Sequence, residues 1–309
     1  MPRRPAIPPI PPELIRIAKQ RRGVLTTADA ISAGLTTAGV RSLVRAGFFV
    51  HVLRGAYVIR PHLLPGGPTL WQRCMAATLL VGRNAVISAG TAVAVQEIQG
   101  GPPSQVIEVT LHPSGTRHQR CDDVVIHWAK IDPDDVISID GLLVQRPRAA
   151  LREATRGWTR EHAVSVFDSA LHLGKVNPDE LARLAADTVA LRPWIALADG
   201  RAESPLETRG RLIWTDGGVA PDFVQHEIRV NGRVIARLDF AWVRPGLKLA
   251  VECDGRGPHD QPQALYRDRA RQADLQALGW IVLRFTWDDV MHRPRLVLER
   301  VLRELLRVA

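Results

Sequence analysis

The stretch RVIARLDFAWVRPGLKLAVECDG, residues 233–255, decides the fold of the last third of the chain. Pro245-Gly246 divides it into two runs rich in β-branched, aromatic and aliphatic residues, the pattern of two strands joined by a tight turn. Just upstream, Asn231-Gly232 is a preferred two-residue hairpin turn and predicts a further strand before it. Further upstream, Ser204-Pro205-Leu206-Glu207 supplies an N-cap serine, a proline at the first helical position and a glutamate at the third, predicting a helix over 205–215. Downstream, the spacing predicts a helix over 263–278 closed by Gly279, a buried strand over 280–285 and a last helix over 294–308. The order is helix, three strands, helix, strand, helix.

Acidic residues stand out against these strands. Asp239 lies between Leu238 and Phe240, where a carboxylate is costly unless it is paired or bound to a metal, and Arg237 is an alternative partner. On the next strand Ala250, Glu252 and Asp254 share one face, because side chains alternate. A hairpin centred near residues 244–245 puts Asp239 opposite about Ala250, one pair from Glu252 and on the same face; a slip of one residue would send it to the other side. Converging carboxylates repel unless a cation sits between them, and an all-oxygen set suits a hard ion such as Mg²⁺. Asp239, Glu252 and Asp254 are therefore the candidate metal ligands and, with Glu207 and His259, the candidate catalytic residues. Glu207 is equally explained as a helix cap. His259, with an ordinary pKa of about 6.5, could serve as general base or leaving-group acid, and a loop histidine beside Gly257 and Pro258 is as often inert. Lys248 is four residues before Glu252, roughly 13 Å at about 3.3 Å per residue, too far to touch the same metal. Arg267 and Arg271 share a helix face and read as contacts to DNA phosphates or as partners of Asp268.

Residues 204–306 resemble the nuclease-like domain related to the very-short-patch-repair endonuclease, within the PD-(D/E)xK superfamily. The matching stretches are Ser204-Pro205-Leu206-Glu207, Leu238-Asp239-Phe240-Ala241, Val251-Glu252-Cys253-Asp254-Gly255 with His259, Asp268 with Arg271, and Gly279-Trp280-Ile281-Val282-Leu283-Arg284. The resemblance implies Mg²⁺-dependent phosphodiester cleavage with Asp239 and Glu252 as ligands and Glu207 assisting. Asp254 stands where the superfamily's motif has a lysine, in agreement with this branch of it, which leaves open the group that orients the attacking water.

The other end of the chain is basic. Residues 1–62 carry ten Lys and Arg against two Asp and Glu, whereas 63–200 carry 13 against 15 and 201–309 carry 18 against 15. A small basic segment on a nearly neutral remainder is the electrostatic footprint of a nucleic-acid contact. After a Pro-rich leader, short helices are expected from about Glu13 to Gly23, over 28–33 behind Thr26 and Thr27, and over 37–46 behind Thr36; a hairpin breaking at Arg54-Gly55 follows over 48–59. Three short helices and a hairpin form the winged helix-turn-helix pattern. In the third helix Val40, Leu43 and Val44 take the inward spacing, and Thr37, Arg41 and Arg45 share the outer face. That face would enter the major groove, with His51 and Arg54 of the wing over the backbone or minor groove. A solvated helix of a protein-binding module is the plainer alternative. On Gly23-Val24-Leu25-Thr26, the Gly34-Leu35-Thr36 turn and Arg54-Gly55-Ala56-Tyr57-Val58, this segment resembles the N-terminal domain of AbiEi-type antitoxins. That resemblance implies operator binding and a cognate toxin encoded nearby.

The expected architecture is thus α/β and multidomain: a winged helix-turn-helix over 1–62, an α/β connector without assignable chemistry over 63–200, and a restriction-endonuclease-like αβββαβ domain over 201–309. Cys74, Cys121 and Cys253 form neither a zinc spacing nor a disulfide framework, and the expected compartment is the cytoplasm, with no membrane contact. The expected function is a DNA-binding protein with Mg²⁺-dependent endonuclease activity. The alternative is an antitoxin-like transcriptional autorepressor whose nuclease fold is a scaffold. DNA is the expected partner, and a second copy of the chain is a candidate one because helix-turn-helix proteins commonly pair on two half-sites.

Overall fold

The computed structural model describes residues 7–62, 64–82, 84–115, 123–255 and 271–307. The chain forms two compact units. One comprises Met1–Glu97 and Pro102–Arg156, the other Ile98–Gly101 and Gly157–Ala309.

The first unit opens with α1 (Pro12–Gln20), β1 (Val24–Thr26), α2 (Thr27–Ser32), α3 (Thr37–Arg45), β2 (Phe49–Leu53) and β3 (Ala56–Ile59). The three strands form an antiparallel sheet in the order β1-β3-β2. Thr26 caps α2 with a reciprocal bond to Asp29, and Thr36 caps α3 by accepting the Gly39 amide. Gly55 turns the β2-β3 hairpin with φ +92°, a conformation that favours glycine. Leu14, Leu25, Val40, Leu43, Phe49 and Ile59 close the core beneath. The unit continues through α4 (Leu70–Val81), which packs on β1, β2 and β3 and so carries the unit past residue 62. Then come β4 (Val86–Ile87), α5 (Ala89–Val95), β5 (Ile107–Leu111), β6 (Val124–Trp128), β7 (Val136–Ile139), β8 (Leu142–Gln145) and α6 (Pro147–Ala154). These strands make a mixed sheet in the order β6-β5-β4-β8-β7.

The second unit runs α7 (Arg160–His172), α8 (Pro178–Asp187), α9 (Arg192–Ile195), α10 (Pro205–Asp216), β9 (Phe223–Val230), β10 (Arg233–Arg244), β11 (Leu247–Asp254), helical residues 271–277 (α11), β12 (Ile281–Thr286), α12 (Trp287–His292) and α13 (Pro294–Leu306). Its sheet has the order β12-β11-β10-β9, with β11 and β12 parallel and the other pairs antiparallel. Trp214 of α10 is fully buried on one face of the sheet, edge-on to Phe240 at 5.0 Å and to Trp242 at 5.4 Å. Leu275 of α11 packs with Ala241, Ala250 and Trp280 in a second cluster. A buried ion pair joins α7 to α10: Asp168 accepts Arg211 Nη2 and Thr208 Oγ1, each at 2.8 Å, and the Asp199 amide at 2.6 Å. This network is why residues before 200 belong with the C-terminal sheet.

The β10-β11 register differs from the expected one. Arg244 pairs with Leu247 across a turn of only Pro245 and Gly246, so Ala241 lies opposite Ala250 and Phe240 opposite Val251. Asp239 is therefore one step past the last ladder pair, level with Glu252 rather than with Ala250. The displacement is two residues, because the turn centre is one residue further along than expected. A shift of two preserves which face a side chain takes.

Candidate active site

Asp239 is delivered by β10, Glu252 and Asp254 by the end of β11, Glu207 by the first turn of α10, Arg271 by α11 and Arg284 by β12. Where the β10-β11 ladder stops, Asp239 Oδ2 accepts the Cys253 amide at 2.8 Å, so a side chain completes what backbone would otherwise do. Burial, together with Glu207 and Asp254, pushes the Asp239 carboxyl up to about 6, against the Cys253 N–H and the charge of Arg271. Burial and the charges of Asp239, Glu207 and Asp254 push the Cys253 thiol upward.

Glu207 is buried and has several donors. Its Oε2 accepts the Glu203 amide and Gln225 Nε2, both at 2.9 Å, and its Oε1 accepts Ser204 Oγ at 2.8 Å, while Ser204 Oγ accepts the Glu207 amide at 3.2 Å. The capping role read from the sequence is thus present, with the return bond going to the residue before the cap. Gln225 reaches Glu207 from a backbone with φ +54° in β9.

Glu252 is held differently. Its carboxylate is ion-paired with Arg271 through Oε1 and with Arg284 Nη2 through Oε2 at 3.0 Å. Arg284 is the residue directly beside Glu252 in the parallel β11-β12 register. The charge of Arg271 also acts on Asp239, so this guanidinium links the two acids. Sequence reasoning missed Arg284. The signal was an arginine inside the apolar run Ile281-Val282-Leu283-Arg284-Phe285, a placement that needs an anionic partner.

Among the described residues, no group of three or more His, Cys, Asp or Glu side chains is arranged to hold a metal ion, so Asp239, Glu252 and Asp254 are not drawn into one ligand set. The chemistry of the donors nevertheless fits a hard divalent cation. Asp239 feels the charges of Glu207 and Asp254 and, with opposite sign, that of Arg271, while Glu252 is paired with Arg271 and Arg284. Carboxylate oxygens of this kind are the donors that a hard divalent cation takes. His259, Arg267 and Asp268 lie outside the described residues. Arg237, the alternative partner for Asp239, pairs instead with Glu203 Oε2 at 2.7 Å. Lys248 Nζ donates to the Leu278 carbonyl at 3.1 Å.

In the first unit, Arg41, Arg45 and His51 line one groove of about 640 Å³ between α3 and the β2-β3 hairpin, with Ser42 and Tyr57 in its wall. The His51 ring lies 4.9 Å from that of Tyr57, its cross-strand partner. Thr37 and Arg54 are outside this lining. No helix among the described residues is long and apolar enough to cross a membrane.

Residues 222–305 match the family model REase_MTES_1575, a restriction-endonuclease-like family. Two relatives from Mycobacterium tuberculosis strains, the uncharacterized proteins Rv2248 and MT2308, are each 29% identical over 273 residues, covering 85% of this chain and 95% of theirs. An uncharacterized protein of Haemophilus influenzae is 39% identical over 54 residues, 18% of this chain and 44% of its own length. The crystal structure of the RV2827C protein from Mycobacterium tuberculosis is similar with 17% identity and a TM-score of 0.38, over 70% of this chain and 79% of that one.

Proposed function

We propose that the chain is a DNA-binding protein whose C-terminal domain hydrolyses phosphodiester bonds in DNA with a divalent cation, Mg²⁺ in the first instance. The observation that carries this reading is the desolvated Asp239, pushed up to about 6 among acidic neighbours inside a segment with a restriction-endonuclease-like match. Asp239, Glu252 and Asp254 are the residues that would hold the ion. When bound, a metal of this kind lowers the pKa of water and offsets charge developing on the phosphodiester. The protein's own groups do the rest. Asp239 presents a desolvated carboxylate, Arg284 holds one oxygen of Glu252 from the neighbouring strand, and Glu207, fixed by its donors, adds negative charge beside Asp239. His259 is proposed as general base or leaving-group acid.

The N-terminal part of the same reading is a winged helix-turn-helix that supplies DNA affinity. It is supported by the element order α1-β1-α2-α3-β2-β3, by the β1-β3-β2 sheet, and by the two arginines and the histidine that share the groove beside α3. A second reading, a DNA-binding autorepressor without cleavage, is favoured by one observation: the Glu252 carboxylate is already ion-paired with two arginines.

Purified full-length protein with Mg²⁺ or Mn²⁺ and supercoiled plasmid separates the two. The nuclease reading expects nicked product that disappears in chelator and in Asp239→Ala. Plasmid left intact with either metal, across DNA and RNA substrates, favours the repressor reading, and nicking that survives in Asp239→Ala removes the proposed site.

A further inference from the structure

Arg271 and Arg284 are unequal partners of Glu252. Arg284 extends from β12 at the register position beside Glu252, so the sheet fixes it there. Arg271 comes from α11, and its side chain is 36% exposed although the carboxylate it grips is only 8% exposed. Two guanidiniums on one carboxylate also repel each other. The arginine on the helix is thus the one with the most to gain from another anion. A guanidinium fork matches the paired oxygens of a phosphodiester as well as it matches a carboxylate.

We propose that Arg271 couples the two ligands of the candidate active site: it occupies Glu252 in the unliganded protein and transfers to a backbone phosphate of the nucleic acid when that carboxylate takes the divalent cation. The proposal rests on the nuclease reading above and assigns Arg271 a role beyond a standing phosphate contact. Competition between Arg271 and the cation for one oxygen of Glu252 makes cation binding weaker in the absence of nucleic acid. A phosphate that draws Arg271 away lifts the competition. By thermodynamic linkage the effect is reciprocal, so the cation must strengthen nucleic-acid binding by the same factor. Arg284 remains on the other oxygen throughout and keeps the carboxylate oriented.

The test is calorimetric titration of Mn²⁺ into the full-length protein at fixed salt, with and without a short DNA duplex carrying sulfur-substituted linkages that resist hydrolysis. Wild type is expected to bind Mn²⁺ about 5- to 150-fold more tightly with the duplex present, the ordinary range of coupling between two sites. Arg271→Gln is expected to bind Mn²⁺ more tightly than wild type without duplex and to lose most of that enhancement. Arg271→Lys keeps the charge and restores part of the enhancement. General attraction between a polyanion and a cation acts on every variant alike, so the difference between variants isolates the contribution of Arg271. Equal enhancement in wild type and Arg271→Gln, or Mn²⁺ binding weakened by Arg271→Gln, overturns the coupling while leaving plasmid nicking to support the nuclease reading. Wild type that takes no Mn²⁺ in either condition overturns both.

Discussion

Replacing Asp239 by asparagine removes a charge from a buried place while keeping a carbonyl oxygen that can accept the Cys253 amide. The carboxyl is pushed from its ordinary 3.8 to about 6, which corresponds to ~3 kcal/mol at most against the folded state once it ionises. Below about pH 4 the acid is protonated in both folded and unfolded chains, and the penalty is absent. Between about pH 4 and 6 the unfolded chain ionises first, so stability falls as pH rises, and above about 6 the whole penalty is in place. In chelator, Asp239→Asn should therefore match wild type at about pH 4 and exceed it at about pH 7.5 by up to ~3 kcal/mol. Added Mg²⁺ should narrow that gap by stabilising wild type alone. Urea unfolding followed by tryptophan fluorescence measures both effects, since Trp214 and Trp242 are buried in the core of this unit. A difference between the two proteins that stays constant from about pH 4 to 7.5 would refute the claim that Asp239 is desolvated among like charges.

Three further perturbations test the same geometry. Arg211→Met strips Asp168 of its buried partner and should cost about 3–5 kcal/mol in urea unfolding, a loss that Asp168→Leu in the same protein should partly reverse. Trp214→Ala empties the centre of the aromatic cluster and should cost about 3–5 kcal/mol, read as a lowered midpoint in the same assay. Arg41→Ala with Arg45→Ala should weaken DNA binding and lower the slope of log affinity against log salt by about 2, if each arginine meets one phosphate; an unchanged slope in a gel-shift series places the nucleic acid elsewhere.

Much of this fold was legible because its strongest local signals agree with its packing. Pro245-Gly246 and Asn231-Gly232 are the turns on either side of β10, and Ser204-Pro205 starts α10. The β10-β11 register was missed by two residues because strand alternation fixes a face, whereas the turn centre depends on backbone geometry within the turn. The short helix α12 went unread although Thr286 and Asp289 form a capping box; the run of Trp287, Val290 and Met291 after β12 hides the boundary. The site was legible in part. An aspartate among apolar neighbours marks Asp239, but the partners of Glu252 come from α11 and β12, and their approach depends on parallel pairing between strands separated by a whole crossover. The Asp168–Arg211 pair spans 43 residues and carries no local signal at all, which is why the boundary near 200 looks like a natural cut in the sequence.

The most direct measurement is diffraction from crystals of the full-length protein soaked in Mn²⁺, recorded at the manganese absorption edge. An anomalous peak bounded by Asp239, Glu252 and Asp254, with Arg271 displaced from Glu252, is the predicted result. A map in which manganese is absent from this cluster, while Glu252 keeps both arginines at saturating metal, would contradict it.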